Sequence, residues 1–258
     1  MELDIRAASW TGPVRSKNED MASVAGILLR DDGTRMQTEV DPQTPLYLLV
    51  ADGLGGHQNG EFASERLQDH LRYCFTMGDI QPGTFAEDIS REVGYVSAKL
   101  NARAAYEGQL RPMGTTLTGV VFMEGRIWAI GAGDSRSYLF RNGFLTRLTT
   151  DHEDADGLLV NCIGAGLEPF VEVNDITGKV ADDDILLICS DGLTDLVSDD
   201  EIEYLLTTAA DPLEALYLRA CDNGGTDNVS IILAKVGSSF ESPEEEGPDD
   251  DGRWDAYV

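Results

Sequence analysis

Two apolar runs in this chain end on Asp-Gly: residues 46–51 lead into Asp52-Gly53, and residues 185–190 lead into Asp191-Gly192. A buried strand that stops on a carboxylate carries the charge to the rim of a sheet on a rigid element. Carboxylates converging there are costly unless a cation neutralises them. Hard divalent cations take carboxylate and carbonyl oxygens, so the pattern points to an Asp-built metal site and to chemistry on phosphate. The alternative is a two-residue hairpin turn, which needs a second alternating strand directly afterwards. Instead, a glycine-rich stretch and a helical pattern over 61–75 follow Asp52-Gly53, and Leu193-Thr194-Asp195 opens a turn and helix after Asp191-Gly192.

The remaining periodicities place these runs in a fold. Residues 3–10 and 21–29 read as strands, with a polar excursion over 30–44. Ala63, Leu67, Leu71 and Cys74 mark the apolar face of one helix, and Phe85, Ile89, Val93, Val96, Leu100 and Ala104 that of a second. A meander follows over 115–123, 126–132, 137–141 and 144–148, with Glu124-Gly125 and Asn142-Gly143 as hairpin turns. Strands are expected over 171–177, 184–190 and 229–236, and helices over 201–208 and 212–221. Sequence-adjacent strands with helices grouped apart make an α+β fold of antiparallel sheets, with helices on the outer faces of a sheet sandwich.

At 258 residues, 42% of them hydrophobic, the chain suits one large domain with an ample core. No run reaches the roughly 18–20 apolar residues of a membrane span, and the opening Met1-Glu2-Leu3-Asp4 is no signal peptide. Cytoplasmic residence is expected. Cys74, Cys162, Cys189 and Cys221 form no CxxC pair and show no His partner at zinc spacing, so they read as buried free thiols of a reducing compartment. A net charge of −28 excludes nucleic acid and anionic membranes as partners. Residues 1–237 are expected to form the domain. Residues 238–258, rich in Glu, Asp, Pro and Gly, read as an acidic disordered tail that solvates, docks or autoregulates.

Three more acidic residues sit at element edges: Asp20 before a strand, Asp134 after one, and Asp227 before the last. In chain order the segments are RSKNED (15–20), VADGLGGHQNGEFAS (50–64), GTT (114–116), GAGDSR (131–136), TTDH (149–152), SDGLTD (190–195) and GGTDNVS (224–230). Together they resemble the metal-dependent serine/threonine protein phosphatases, protein phosphatase type 2C, in their bacterial form.

The resemblance implies a central sandwich of two antiparallel β-sheets flanked by helices, four layers αββα, with two Mn²⁺ or Mg²⁺ ions at one end. By motif, Asp52 bridges both metals and the Gly53 carbonyl completes one of them. Asp191 and Asp227 hold the other, Glu19 and Asp20 contact the metal or its water, and Arg15 grips the substrate phosphate. Asp134 with Asp191 matches positions that can hold a third ion. Paired ions lower the pKa of a bridging water for in-line attack on phosphorus, and an Arg fork binds two phosphoryl oxygens. His57 either orders its glycine loop or donates a proton to the leaving group, and His152 has a structural polar role. Only eight residues separate His152 from Asn161, so the family's flap is trimmed or absent.

The resulting expectation is a Mn²⁺/Mg²⁺-dependent phosphatase for phosphoserine and phosphothreonine. It would act as a monomer on phosphorylated proteins, namely a bacterial serine/threonine kinase and that kinase's targets. The rivals are a catalytically silent phosphoprotein-binding regulator and a phosphatase for a small phosphometabolite.

Overall fold

The computed structural model describes residues 1–55, 58–106 and 113–240. Two six-stranded sheets lie face to face, and every pairing in them is antiparallel. The first sheet runs, edge to edge, through Phe144–Arg147, Arg136–Arg141, Ile185–Cys189, Val229–Val236, Glu2–Trp10 and Asp32–Glu39. The second runs through Glu172–Asp175, Arg126–Ala132, Leu117–Met123, Leu46–Ala51, Met21–Val24 and Ile27–Leu29. Three two-residue strands, Gly53–Leu54, Gly114–Thr115 and Ile163–Gly164, form a small separate sheet.

The two inner faces bury Leu3, Ile5, Leu186 and Ile188 against Leu48, Val50, Val120 and Phe122. Helices α1 (Gln58–Met77) and α2 (Phe85–Tyr106) cover the outer face of the second sheet, through Leu67, Leu71, Ile89 and Val93. The short α3 (Asp191–Thr194), α4 (Asp199–Thr208) and α5 (Pro212–Asp222) cover the first, through Leu193, Ile202 and Leu216. These are the four expected layers. Because strands buried on both faces have no polar side to display, 46–51 and 185–189 are apolar throughout rather than alternating.

Both expected hairpin turns are present, with positive φ at Glu124 and Gly125 (49° and 75°) and at Asn142 and Gly143 (53° and 85°). The 21–29 segment is not one strand. It folds back on itself at Ala25-Gly26, where φ is 48° and 87°. The polar excursion contains a further strand, Asp32–Glu39, at the sheet edge against Glu2–Trp10. An edge strand packs one side chain in two at most, and here Met36 is its apolar contact with the core. Packing extends to Phe240, buried beneath Arg6 with its backbone N–H donating to Asp4 Oδ2. Residues 241–258 of the expected tail lie outside the described residues.

Candidate active site

Antiparallel register brings the acidic strand ends to one end of the sandwich. Met21 pairs with Ala51, so Asp20 and Asp52 leave neighbouring central strands side by side. Cys189 pairs with both Ile231 and Arg136, so Asp191, Asp227 and Asp134 emerge at the same end of the first sheet. Leu117 pairs with Ala132, which sets Thr116 beside Gly133.

Backbone contacts fix each position. The Asp52 N–H donates to Thr116 Oγ1 at 3.0 Å, and its carbonyl accepts from Thr116 N and Thr115 Oγ1, each at 2.8 Å. Gly53 lies against α1 so closely that a Cβ there would stand 2.3 Å from the Gly60 carbonyl oxygen and 2.4 Å from that of Glu19. A side chain at this position would push the helix off the site. Gly192 is equally confined: a Cβ would stand 1.9 Å from the Asn228 carbonyl oxygen. Arg30 ties the second sheet to α1, donating to the Asp20 carbonyl at 3.0 Å and the Glu61 carbonyl at 2.8 Å.

The carboxylates repel one another in a poorly solvated place. Asp20 is 1% exposed, and the Ser190 and Ser230 hydroxyls each lie 2.8 Å from its Oδ2. Burial pushes its pKa up to about 6 despite those hydroxyls. Burial and the neighbouring Asp20 and Asp191 hold Asp52 well above the ordinary carboxylate range. Asp134 is pushed up to about 7 by burial and Asp191, and Asp191 to about 7 by burial, Asp20 and Asp227. Asp191 Oδ1 is buried without a hydrogen-bond donor. A carboxylate oxygen in that setting, within reach of the Asp52 carboxyl, calls for a proton or a cation.

The remaining expected residues lie at the rim. Arg15 donates from Nη2 to Asp227 Oδ2 at 2.5 Å and from Nε to the Thr226 carbonyl at 3.1 Å, with Glu19 and Asp52 in its field. Glu19 is held through its backbone: its N–H donates to Asn228 Oδ1 at 2.8 Å, and its carbonyl accepts from Ser64 Oγ at 2.5 Å. All seven acidic or cationic candidates therefore converge, together with the Gly53 backbone.

His152 accepts at Nδ1 from the Gly133 N–H (3.1 Å) and from Asn161 Nδ2 (2.8 Å). Two donors at one ring nitrogen make it the unprotonated one, so this imidazole braces the loop behind Asp134. His57 lies outside the described residues. Residues 152–160 close into a small hairpin through Val160 N to the His152 carbonyl at 2.9 Å.

Sequence reasoning passed over the residues that position the carboxylates. Asn228, 3% exposed, donates to the Thr11 and Lys17 carbonyls at 2.8 Å each and so latches the loop that carries Arg15 and Glu19. Its signal was adjacency to Asp227 in GGTDNVS; Ser190 and Ser230 likewise stood inside quoted motifs. The donor set is carboxylate and carbonyl oxygen, which suits divalent hard cations.

Fold and site thus set a cluster of carboxylate and carbonyl oxygens, the donor type that hard divalent cations take, at one end of an αββα sandwich. Residues 22–222 match protein phosphatase 2C. The serine/threonine phosphatase Stp of Listeria monocytogenes is 30% identical over 212 residues, covering 73% of this chain and 83% of that protein. PstP of Mycobacterium tuberculosis is 30% identical over 257 residues, covering 91% of this chain, which spans 45% of PstP's length. The structure of the PstP catalytic domain in complex with two manganese ions superposes with a TM-score of 0.69 at 30% identity, covering 90% of this chain and 98% of that domain. The chain belongs to the protein phosphatase 2C family of metal-dependent protein serine/threonine phosphatases.

Proposed function

We propose that this chain hydrolyses phosphoserine and phosphothreonine in proteins, using two Mn²⁺ or Mg²⁺ ions and a third at Asp134 and Asp191. The observation that carries the reading is the buried, donorless Oδ1 of Asp191 facing like-charged Asp52 and Asp20 at the ends of central strands from both sheets. Asp52 would serve both ions, with the Gly53 carbonyl completing one and Asp191 and Asp227 holding the other; Glu19 and Asp20 would reach metal or its water. When bound, the ions acidify water into a nucleophile and offset charge on the phosphoryl oxygens.

This chain's own groups orient the reaction. The Ser190 and Ser230 hydroxyls keep Asp20 in one rotamer, and Thr115 and Thr116 lock the Asp52 backbone. Arg15, half-exposed beside Asp227, is the fork that would meet phosphate. The curated relatives are named serine/threonine phosphatases, which favours a phosphoprotein over a small metabolite. Free thiols suit a reducing compartment, so the reading includes cytoplasmic action, as a monomer, opposite a serine/threonine kinase.

Purified protein with millimolar Mn²⁺ should release phosphate from phosphothreonine peptides and p-nitrophenyl phosphate, and a chelator should stop it. Phosphopeptide binding without turnover would instead make the chain a silent regulator. A higher kcat/KM on small phosphometabolites than on peptides would move the substrate class.

A further inference from the structure

On the far side of the second sheet, helices α1 and α2 bring together three side chains that the phosphatase reading does not use. His70 and Cys74 stand four residues apart on one face of α1, and Glu92 faces them from α2. His70 Nε2 lies 2.9 Å from Glu92 Oε2, and Cys74 Sγ lies 3.5 Å from each of them. The expectation that no cysteine has a His at metal spacing therefore fails for Cys74. The i, i+4 step of a helix supplies the spacing.

We propose that His70, Cys74 and Glu92 form a second metal site, selective for Zn²⁺ and chemically distinct from the carboxylate centre. The geometry carries this. Tetrahedral Zn²⁺ with its usual bond lengths to sulfur, nitrogen and oxygen sets its ligands about 3.6 Å (S to N), 3.5 Å (S to O) and 3.3 Å (N to O) apart. Two of those three separations are already met, and the third needs the His–Glu pair to open by a few tenths of an ångström. A plain His–Glu ion pair has no need of a buried thiol equidistant from both partners.

The surroundings hold the ligands ready. Arg91 Nε donates to Glu92 Oε1 at 2.9 Å, which turns Oε2 toward His70 and Cys74. The Tyr95 ring stacks on His70 at 5.1 Å. The His70 and Glu92 side chains remain 19% and 16% exposed, so an ion and a fourth, water ligand can reach them from solvent.

Soft and borderline donors choose the metal. A thiolate and an imidazole favour Zn²⁺ over Mg²⁺ or Mn²⁺, so the two centres do not compete for one ion. Thiolate, carboxylate and neutral imidazole balance a divalent charge. The thiol, pushed up to about 12 by burial and the Glu92 carboxylate, loses its proton to solvent when metal binds, so affinity should rise about tenfold per pH step while the thiol is protonated. A bound ion would join α1 to α2 across their contact.

Co²⁺, a spectroscopic stand-in for Zn²⁺, tests the site in the full chain with millimolar Mg²⁺ present. One equivalent should give a thiolate-to-cobalt charge-transfer band in the near ultraviolet, and one equivalent of Zn²⁺ should bleach it. Cys74→Ser should abolish the band, His70→Gln should weaken Co²⁺ binding at least tenfold, and Cys162→Ser should keep it. Equal Mn²⁺-dependent turnover in His70→Gln would show that its fold is intact. Absence of the band from the wild type, or its survival in Cys74→Ser, would leave these three residues an ordinary interhelical contact, and neither result bears on the phosphatase reading.

Discussion

Replacing Asp191 by Asn should stabilise the metal-free protein at alkaline pH while destroying its response to metal. Asp191 is pushed up to about 7 from the ordinary 3.8, because it is buried and faces Asp20 and Asp227. Holding such a group ionised at pH 8 opposes folding by on the order of 4 kcal/mol if it stood alone. Asp52 shares the same repulsion, so removing one charge should recover about 2–4 kcal/mol. For a chain of this size that is a rise in Tm of roughly 5–15 °C. The sign follows from linkage. A raised carboxyl pKa costs nothing below about 4, where both states hold the proton, and the penalty grows through the window up to about 7 and is complete above it. Chelated wild type should therefore lose stability from pH 5 to pH 8, and Asp191→Asn should lose less. Millimolar Mn²⁺ should reverse the order, because the wild type alone keeps its full ligand set. Calorimetry at both pH values, with chelator and with Mn²⁺, reads all four cases. A chelated variant no more stable than wild type at pH 8, or an advantage of equal size at pH 5, would refute the argument.

Three further outcomes follow from the same geometry. Arg15→Ala should raise KM for phosphopeptide about tenfold, the worth of lost charge-assisted hydrogen bonds, with a smaller effect on kcat; an unchanged KM in steady-state kinetics removes Arg15 from phosphate contact. Asn228→Ala strands the Glu19 N–H and the Thr11 and Lys17 carbonyls. It should cost about 2–4 kcal/mol in urea unfolding and weaken Mn²⁺ binding; wild-type values in both would deny its latching role. Deleting residues 241–258 should leave turnover of p-nitrophenyl phosphate unaltered, and a large loss would show that this acidic segment contributes to the site.

Buried strands and tight turns could be read from the chain because each depends on neighbours in sequence. An unbroken apolar run such as 46–51 needs a place covered on both faces, and Asn142-Gly143 needs a backbone with positive φ. The edge strand Asp32–Glu39 escaped because its side chains alternate between solvent and partial cover, and only Met36 reaches the core. The break at Ala25-Gly26 had one glycine as its warning. Asn228, Ser190 and Ser230 carried no signal of their own beside the acidic residues, since their partners lie tens to hundreds of residues away.

The linear order of residues was enough to say which strand ends carry acid and which glycines leave room for backbone at those ends. Their convergence came from pairing register, which aligns Met21 with Ala51 and Cys189 with Ile231 and so turns five distant Asp to one face. The raised pKa values came from burial, a property no residue has until others exclude water from it. The His70–Cys74–Glu92 cluster depended likewise on how α2 crosses α1. Local sequence sets what each element carries, and long-range packing selects which of those atoms meet.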